Sequence, residues 1–137
     1  KKLMGDKQTY ATELDQQLER FAETLLIFAE AQIMSTGDNS DPDALEAFNQ
    51  VKRRANGLDP FTPNPTVDAT SITQRDVIDE KGWEFAGEFC HWFDLVRLQL
   101  VEETIAAKDP DELQPLGPVR YEILLPQVET EVNPNLE

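Results

Sequence analysis

Lys81-Gly82-Trp83-Glu84-Phe85-Ala86-Gly87-Glu88-Phe89-Cys90-His91-Trp92-Phe93-Asp94-Leu95-Val96-Arg97 gathers both tryptophans, the only histidine, the only cysteine and three of the seven phenylalanines of the chain. At helical spacing Ile78, Gly82, Phe85, Phe89, Trp92, Val96 and Leu100 recur every three or four positions, so one face is apolar and bulky. This predicts a long core helix from a Thr73 cap to about Lys108, where Asp109-Pro110 stops it. Gly82 and Gly87 each lower helix propensity by about 1 kcal/mol, which predicts another helix passing close over them. The opposite side carries Asp76, Glu80, Glu84 and Glu88 four residues apart. Like charges at that spacing repel, so basic groups or water must cover them, and Arg20, Arg53, Arg54, Arg75 and Arg97 are the available partners.

Upstream of this stretch the pattern predicts two more helices. The first runs from about Glu13 to Met34, with Leu18, Phe21, Ala22, Leu25, Ala29 and Ile33 on one side, and ends at Gly37. Asp41 then caps a second helix with Pro42 at its first position, a stripe of Ala44, Leu45, Phe48, Val51 and Ala55, and Gly57 at its end. Residues 18–57 thus form a helical hairpin of tetratricopeptide size, which cannot bury its apolar face alone. Residues 58–72, containing Asp59-Pro60-Phe61-Thr62-Pro63-Asn64-Pro65, are a proline-rich connector. Residues 109–137, with Pro115, Pro118, Pro126 and Pro134, form an irregular tail in which Arg120 to Leu125 suits a short extended segment. The fold class is all-α: a hairpin, a long third helix and an irregular tail.

A length of 137 residues suits one domain. The net charge of -15 excludes a phosphate-backbone partner, whose affinity depends on clustered Lys and Arg, so no nucleic acid is expected. One cysteine forms no internal disulfide, and its apolar surroundings predict a buried, inert thiol. No apolar run reaches transmembrane length, and residues 1–8 are polar.

Catalytic constellations find little support. Glu88-x-x-His91 has the carboxylate and imidazole spacing of di-iron bundles, but such a site needs a second histidine, and the chain has one. No Ser or Cys stands on a strand-to-helix elbow. Glycoside hydrolysis needs two carboxyls facing one cleft about 5 to 10 Å apart, whereas the acidic row lies along one helix face. No catalytic residue, metal or cofactor is expected. For sugar stacking, Trp83 and Trp92 are nine positions apart and on a continuous helix point to opposite sides. Trp92 shares the apolar stripe and is expected to pack; Trp83, off the stripe, is the candidate for touching ligand.

The central segment resembles the SusD/RagB family, in which a run of this kind reads Glu-Arg-x-x-Glu-Phe/Leu-Ala-x-Glu-Gly-x-Arg-Trp-x-Asp-Leu-x-Arg. Glu80, Glu84, Phe85, Ala86, Glu88, Trp92, Asp94, Leu95 and Arg97 fall on that pattern. Arg20-Phe21-Ala22-Glu23 through Ala29-Glu30-Ala31 is similar to the family's Arg-Tyr-Ala-Glu-x-Leu-Leu-x-Tyr-Ala-Glu-Ala helix, and Leu125-Pro126-Gln127-Val128-Glu129 and Asn133-Pro134-Asn135 resemble its closing elements. Phe89 replaces the family's usual glycine and His91 its arginine, so the helix is expected to run on where relatives have a softer joint.

The resemblance implies an α-superhelical scaffold with Arg20, Glu30, Glu84, Trp92, Asp94 and Arg97 in structural roles. Glu84, Asp94 and Arg97 would tie the third helix to the hairpin. It implies binding of glycans or other large nutrients as the lipoprotein partner of a TonB-dependent (SusC-like) outer-membrane transporter. Lys1-Lys2-Leu3-Met4 lacks a signal-peptide core and Cys90 lies too deep for lipidation, so the chain is expected to be the C-terminal portion of a longer protein whose lipid anchor lies outside it. Family ligand contacts vary and lie largely in other loops, so none carries over. The alternatives are a stand-alone helical adapter of tetratricopeptide type and a carbohydrate-active enzyme.

Overall fold

The computed structural model describes residues 19–88, 90–107, 118–119, 121–122 and 131–133. The polar residues 1–8, the first turns of the helix from Glu13, the stripe residue Phe89 and most of the tail lie outside them. Among the described residues the chain is all-α, with α1 Phe21–Thr36, α2 Pro42–Ala55, α3 Gln74–Glu84, α4 His91–Arg97 and α5 Val101–Ala106. It divides into two compact units, one ending at Glu84 and one starting at Phe85.

In the first unit, α1 stops where Gly37 takes a left-handed conformation at φ 70 and returns its N–H to Ile33 O. Helix α2 begins with Asp41 Oδ1 accepting from the N–H groups of Asp43 and Ala44, a cap that contributes about 1 kcal/mol. Asp43 in its first turn and Lys52, Arg53 and Arg54 in its last complement the helix dipole. Helix α1 packs on both α2 and α3. The core draws Ala22, Leu26, Ala29 and Ile33 from α1, Ala44, Ala47, Phe48 and Val51 from α2, and Val77 and Ile78 from α3. Small alanines on both hairpin helices let their axes approach closely. Phe21, assigned to the inner side by its spacing, is instead 69% exposed. Ile27, Phe28 and Met34 are exposed as well, so α1 is apolar on two flanks and periodicity alone does not choose between them.

The proline-rich connector is ordered by polar bonds to α2. Arg53, 2% exposed, directs all its N–H groups inward. Nε and Nη2 donate to Asp68 at 2.7 Å each, Nη1 and Nη2 to Glu46 at 3.0 Å each, and Nη1 also to Pro60 O at 2.9 Å. One turn away, Asn49 exchanges two hydrogen bonds with the Ala69 backbone, 3.0 and 2.8 Å. Ile72 N–H reaches Asn39 O at 2.8 Å, which fastens the end of the connector to the α1–α2 turn. Helix α3 then starts in a capping box, with Thr73 N–H donating to Asp76 Oδ2 at 2.8 Å and Asp76 N–H to Thr73 Oγ1 at 3.2 Å.

The single helix expected from Thr73 to Lys108 is corrected to three. At the first break, Arg20 Nη2 donates to the Glu84 carbonyl at 2.9 Å, taking the acceptor that Glu88 N–H would use in a continuous helix. Glu88 N–H turns to Phe85 O instead, at 2.9 Å, and Gly87 adopts φ +85. No described atom lies within 4 Å of where a Gly87 Cβ would stand, so this glycine answers a backbone need and not the close helix expected over it. Replacement of the family's glycine by Phe89 therefore does not give a continuous helix.

The second break follows α4. Leu100 N–H returns to Leu95 O at 2.8 Å and Gln99 N–H to Val96 O at 3.1 Å, a Schellman closure. Gln99 holds φ 55 where glycine is the common choice. In this second unit Phe85, Asp94, Leu95 and Val101 are buried.

Two outcomes follow for the first unit. Arg53→Met removes five hydrogen bonds to two carboxylates and a carbonyl and should cost about 3 kcal/mol in urea unfolding, with Arg53→Lys failing to restore it. The Arg53 hydrogen bonds hold the Glu46 and Asp68 carboxyls below their ordinary range against the opposing effect of desolvation. Their stabilisation is present above the unfolded carboxylate range of about 4 and should fade as pH falls through the lower folded values, whereas an Arg53→Met chain should lose that part of its acid sensitivity.

Candidate functional site

The first turn of α1, the last turns of α2 and the connector enclose a cleft of about 240 Å³. Ala22, Leu25 and Val51 form its floor, and Pro60 with the exposed rings of Phe21 and Phe61 forms its walls. Phe61 is 72% exposed and is carried by a backbone that Asp59 fixes, since Asp59 accepts from Phe61 N–H at 3.1 Å and from Thr62 Oγ1 at 2.6 Å. Those two bonds, the hydroxyl first, lower the Asp59 carboxyl pKa.

The rim of the cleft is polar. Arg20, Arg54 and Gln50 line it. Glu84, the last residue of α3, has a side chain only 5% exposed, and its Oε1 accepts from Arg20 Nη1 at 2.8 Å and from Arg54 Nη2. This single carboxylate joins the residue preceding α1 to the ends of α2 and α3, and its charge is covered twice over. Gln50 donates Nε2–H to Glu46 Oε1 at 3.2 Å, one turn earlier on α2. Glu80, one turn before Glu84, has its carboxyl pushed up by burial and further by the Glu84 charge, with Lys52 acting in the opposite sense.

The acidic row is dispersed by the fold. Asp76 caps α3, Glu80 is half-buried, Glu84 is paired, and Glu88 lies past the end of the helix. Arg75 pairs with Asp79 at i,i+4, 2.9 Å, a partner outside that row. Glu30, buried on α1, accepts from Gln74 Nε2 at 2.8 Å and has Lys81 Nζ at 3.9 Å, which links α1 to α3. Asp94 and Arg97 bond to each other within α4, through Nε at 2.9 Å and Nη2 at 2.8 Å.

The aromatic positions require corrections. Trp92, expected to pack in the stripe of one long helix, is 53% exposed on a separate short helix that starts only at His91. Trp83 is 81% exposed on the last turn of α3. The argument that the two rings point apart rested on an unbroken helix and lapses with it. Cys90, expected to be buried, is half-buried, and its Sγ donates to Glu88 O at 3.4 Å. His91 Nδ1 is buried with no hydrogen-bond partner among the described residues. Glu88 and His91 do not share a helix, and no group of three or more His, Cys, Asp or Glu placed to hold a metal ion exists among the described residues. Nor is any helix there long and apolar enough to cross a membrane.

The cleft was not read from the sequence, because three separate segments contribute to it. The hint lay in Phe61, an aromatic side chain set between two prolines of a connector, where packing gives no reason for it.

Comparison with known proteins agrees with the motif pattern. A SusD-like protein of Bacteroides ovatus is 34% identical over 77 residues, which cover 56% of this chain and 12% of that protein. The chain therefore matches only a small part of that relative's length. No solved structure matches the chain. The family model described as the SusD family matches residues 2–115, most of the sequence, and on that match the chain belongs to the SusD/RagB family.

Proposed function

We propose that the chain serves a surface-exposed outer-membrane lipoprotein that binds glycans or other large nutrients and delivers them to a TonB-dependent, SusC-like transporter. The observation that carries this reading is the family match over residues 2–115. A helical frame fastened by buried polar bonds suits the task, since capture needs a rigid body with variable loops, shape and a few polar contacts, and no bond-making step. On this reading the chain is a binding element and not an enzyme, and the protein is held at the membrane by a lipid anchor. Trp83, with its ring almost wholly in solvent, is the residue in the central motif most available to a ligand. Arg20, Glu30, Glu84, Asp94 and Arg97 belong to the frame.

A second reading, a stand-alone helical adapter of tetratricopeptide type, draws on the apolar outer flank of α1 formed by Phe21, Ile27, Phe28 and Met34. Affinity purification of the tagged protein from detergent-solubilised outer membranes of its own cells separates the two. Recovery of a large TonB-dependent transporter in stoichiometric amount is the expected outcome. Fractionation of the protein with soluble partners alone, and none in the outer membrane, would leave the adapter reading standing.

A further inference from the structure

Helix α3 turns Val77, Ile78 and Lys81 inward, and Trp83 stands on the opposite, outward face with its ring 81% exposed. Asp79 and Asp76 precede it by four and seven residues, so one helix face carries all three. Glu80 flanks them, half-buried. The charges on this face can be followed one by one. Asp76 accepts from the N–H and the hydroxyl of Thr73, neutral donors that leave its charge in place. Asp79 is paired with Arg75, whose Nε–H contacts both of its oxygens, at 2.9 and 3.1 Å. Any further bond of Arg75 draws on the same single charge. Glu80 feels the opposite charge of Lys52 and the like charge of Glu84. Among the described residues two cations therefore meet three carboxylates, and Asp76 is the one left over.

We propose that this face of α3 seats an ammonium-bearing oligosaccharide, with one amino-sugar ring stacked on Trp83 and the ammonium groups of the neighbouring rings directed to Asp79 and Asp76. The inference rests on the reading of the chain as a glycan-binding element and names the class of glycan. An indole face attracts a cation through its quadrupole and also receives the C–H face of a sugar ring. A carboxylate accepts at about four sites, so Asp79 takes a donor from the ligand beside Arg75. The rise of α3 puts Asp79 about 6 Å and Asp76 about 10 Å from Trp83 along the axis, spacings that successive rings of a sugar chain can follow. A sugar with hydroxyls alone gains the stacking and nothing from the excess charge, and an acidic sugar is repelled by it. A lysine-rich peptide matches the charge. Fixing its long side chains on an open helix face costs rotamer freedom that a rigid ring does not lose.

Nuclear magnetic resonance titration of the isotopically labelled full chain tests this at about pH 6, where amines and carboxylates both carry charge. The probe is a linear trimer of glucosamine; its fully N-acetylated form and acetyl-Lys-Lys-Lys-amide, which carries the same number of ammonium groups, are the comparators. The amine trimer should shift the indole N–H signal of Trp83, identified by its loss in Trp83→Ala, together with the amide signals of residues 76–83. It should bind about tenfold more tightly than the acetylated trimer. Trp83→Ala should weaken it about tenfold. Asp76→Asn should weaken it about threefold, and Asp79→Asn takes its place if the former chain is unfolded by circular dichroism. Absence of shifts at these residues, affinity of the acetylated trimer or of the lysine peptide equal to or above that of the amine trimer, or indifference to Trp83→Ala overturns the proposal. The readout is independent of transporter recovery, so the choice of glycan class can fail while the nutrient-binding reading stands.

Discussion

The buried guanidinium of Arg53 is the constraint on which the first unit depends. A proline-rich segment has few backbone donors and no regular partner for those it keeps, so something else must hold it against the helices. Arg53 does so by bonding two carboxylates and a carbonyl at once, with Asp68 at 2.7 Å on two atoms. A charge so far from water is tolerable only because every donor is used. A lysine, with a point charge and no planar fork, has no equivalent geometry. The position of Phe61, and with it one wall of the cleft, follows from this single residue and its neighbours Asp59 and Asn49.

Glu84 plays the matching role at the end of the unit. It is the last residue of α3, where a negative side chain opposes the helix dipole, and the two arginines offset that cost. Because Arg20 also takes the Glu84 carbonyl, the same contact that secures α3 ends it. The frame and the break in the central motif have one cause.

Much of the frame was legible in the sequence, for reasons that are local. Asp41-Pro42, Gly37 and Thr73 mark helix ends through bonds within four residues, and those signals survive whatever the tertiary context. The long third helix was misread because its two interruptions have other origins. One is set by Arg20, more than sixty residues away in the chain. The other is closed by Gln99, a residue type that gives no warning of a left-handed turn. Trp92 lost its expected packing because it stands on a separate short helix and not within one long stripe. Arg53 was visible only as one of several available cations, since neither its seven-residue spacing from Glu46 nor its fifteen-residue reach to Asp68 is a recognised motif. Phe21 was misassigned because α1 is apolar on two sides and spacing does not rank them. The cleft is assembled from three segments and had no linear signature.

The manner in which the connector is fastened has an evolutionary consequence. From Asp59 to Ala69 its backbone is held by Asn49, Arg53, Asp59 and Asp68, with Ile72 buried only at its far end, while Phe61, Thr62, Pro63, Pro65 and Thr66 face outward. Outward positions can be exchanged with little penalty to the frame beneath them. Lineages can thus diversify this strap residue by residue, retuning its chemistry while inheriting the clasp unchanged.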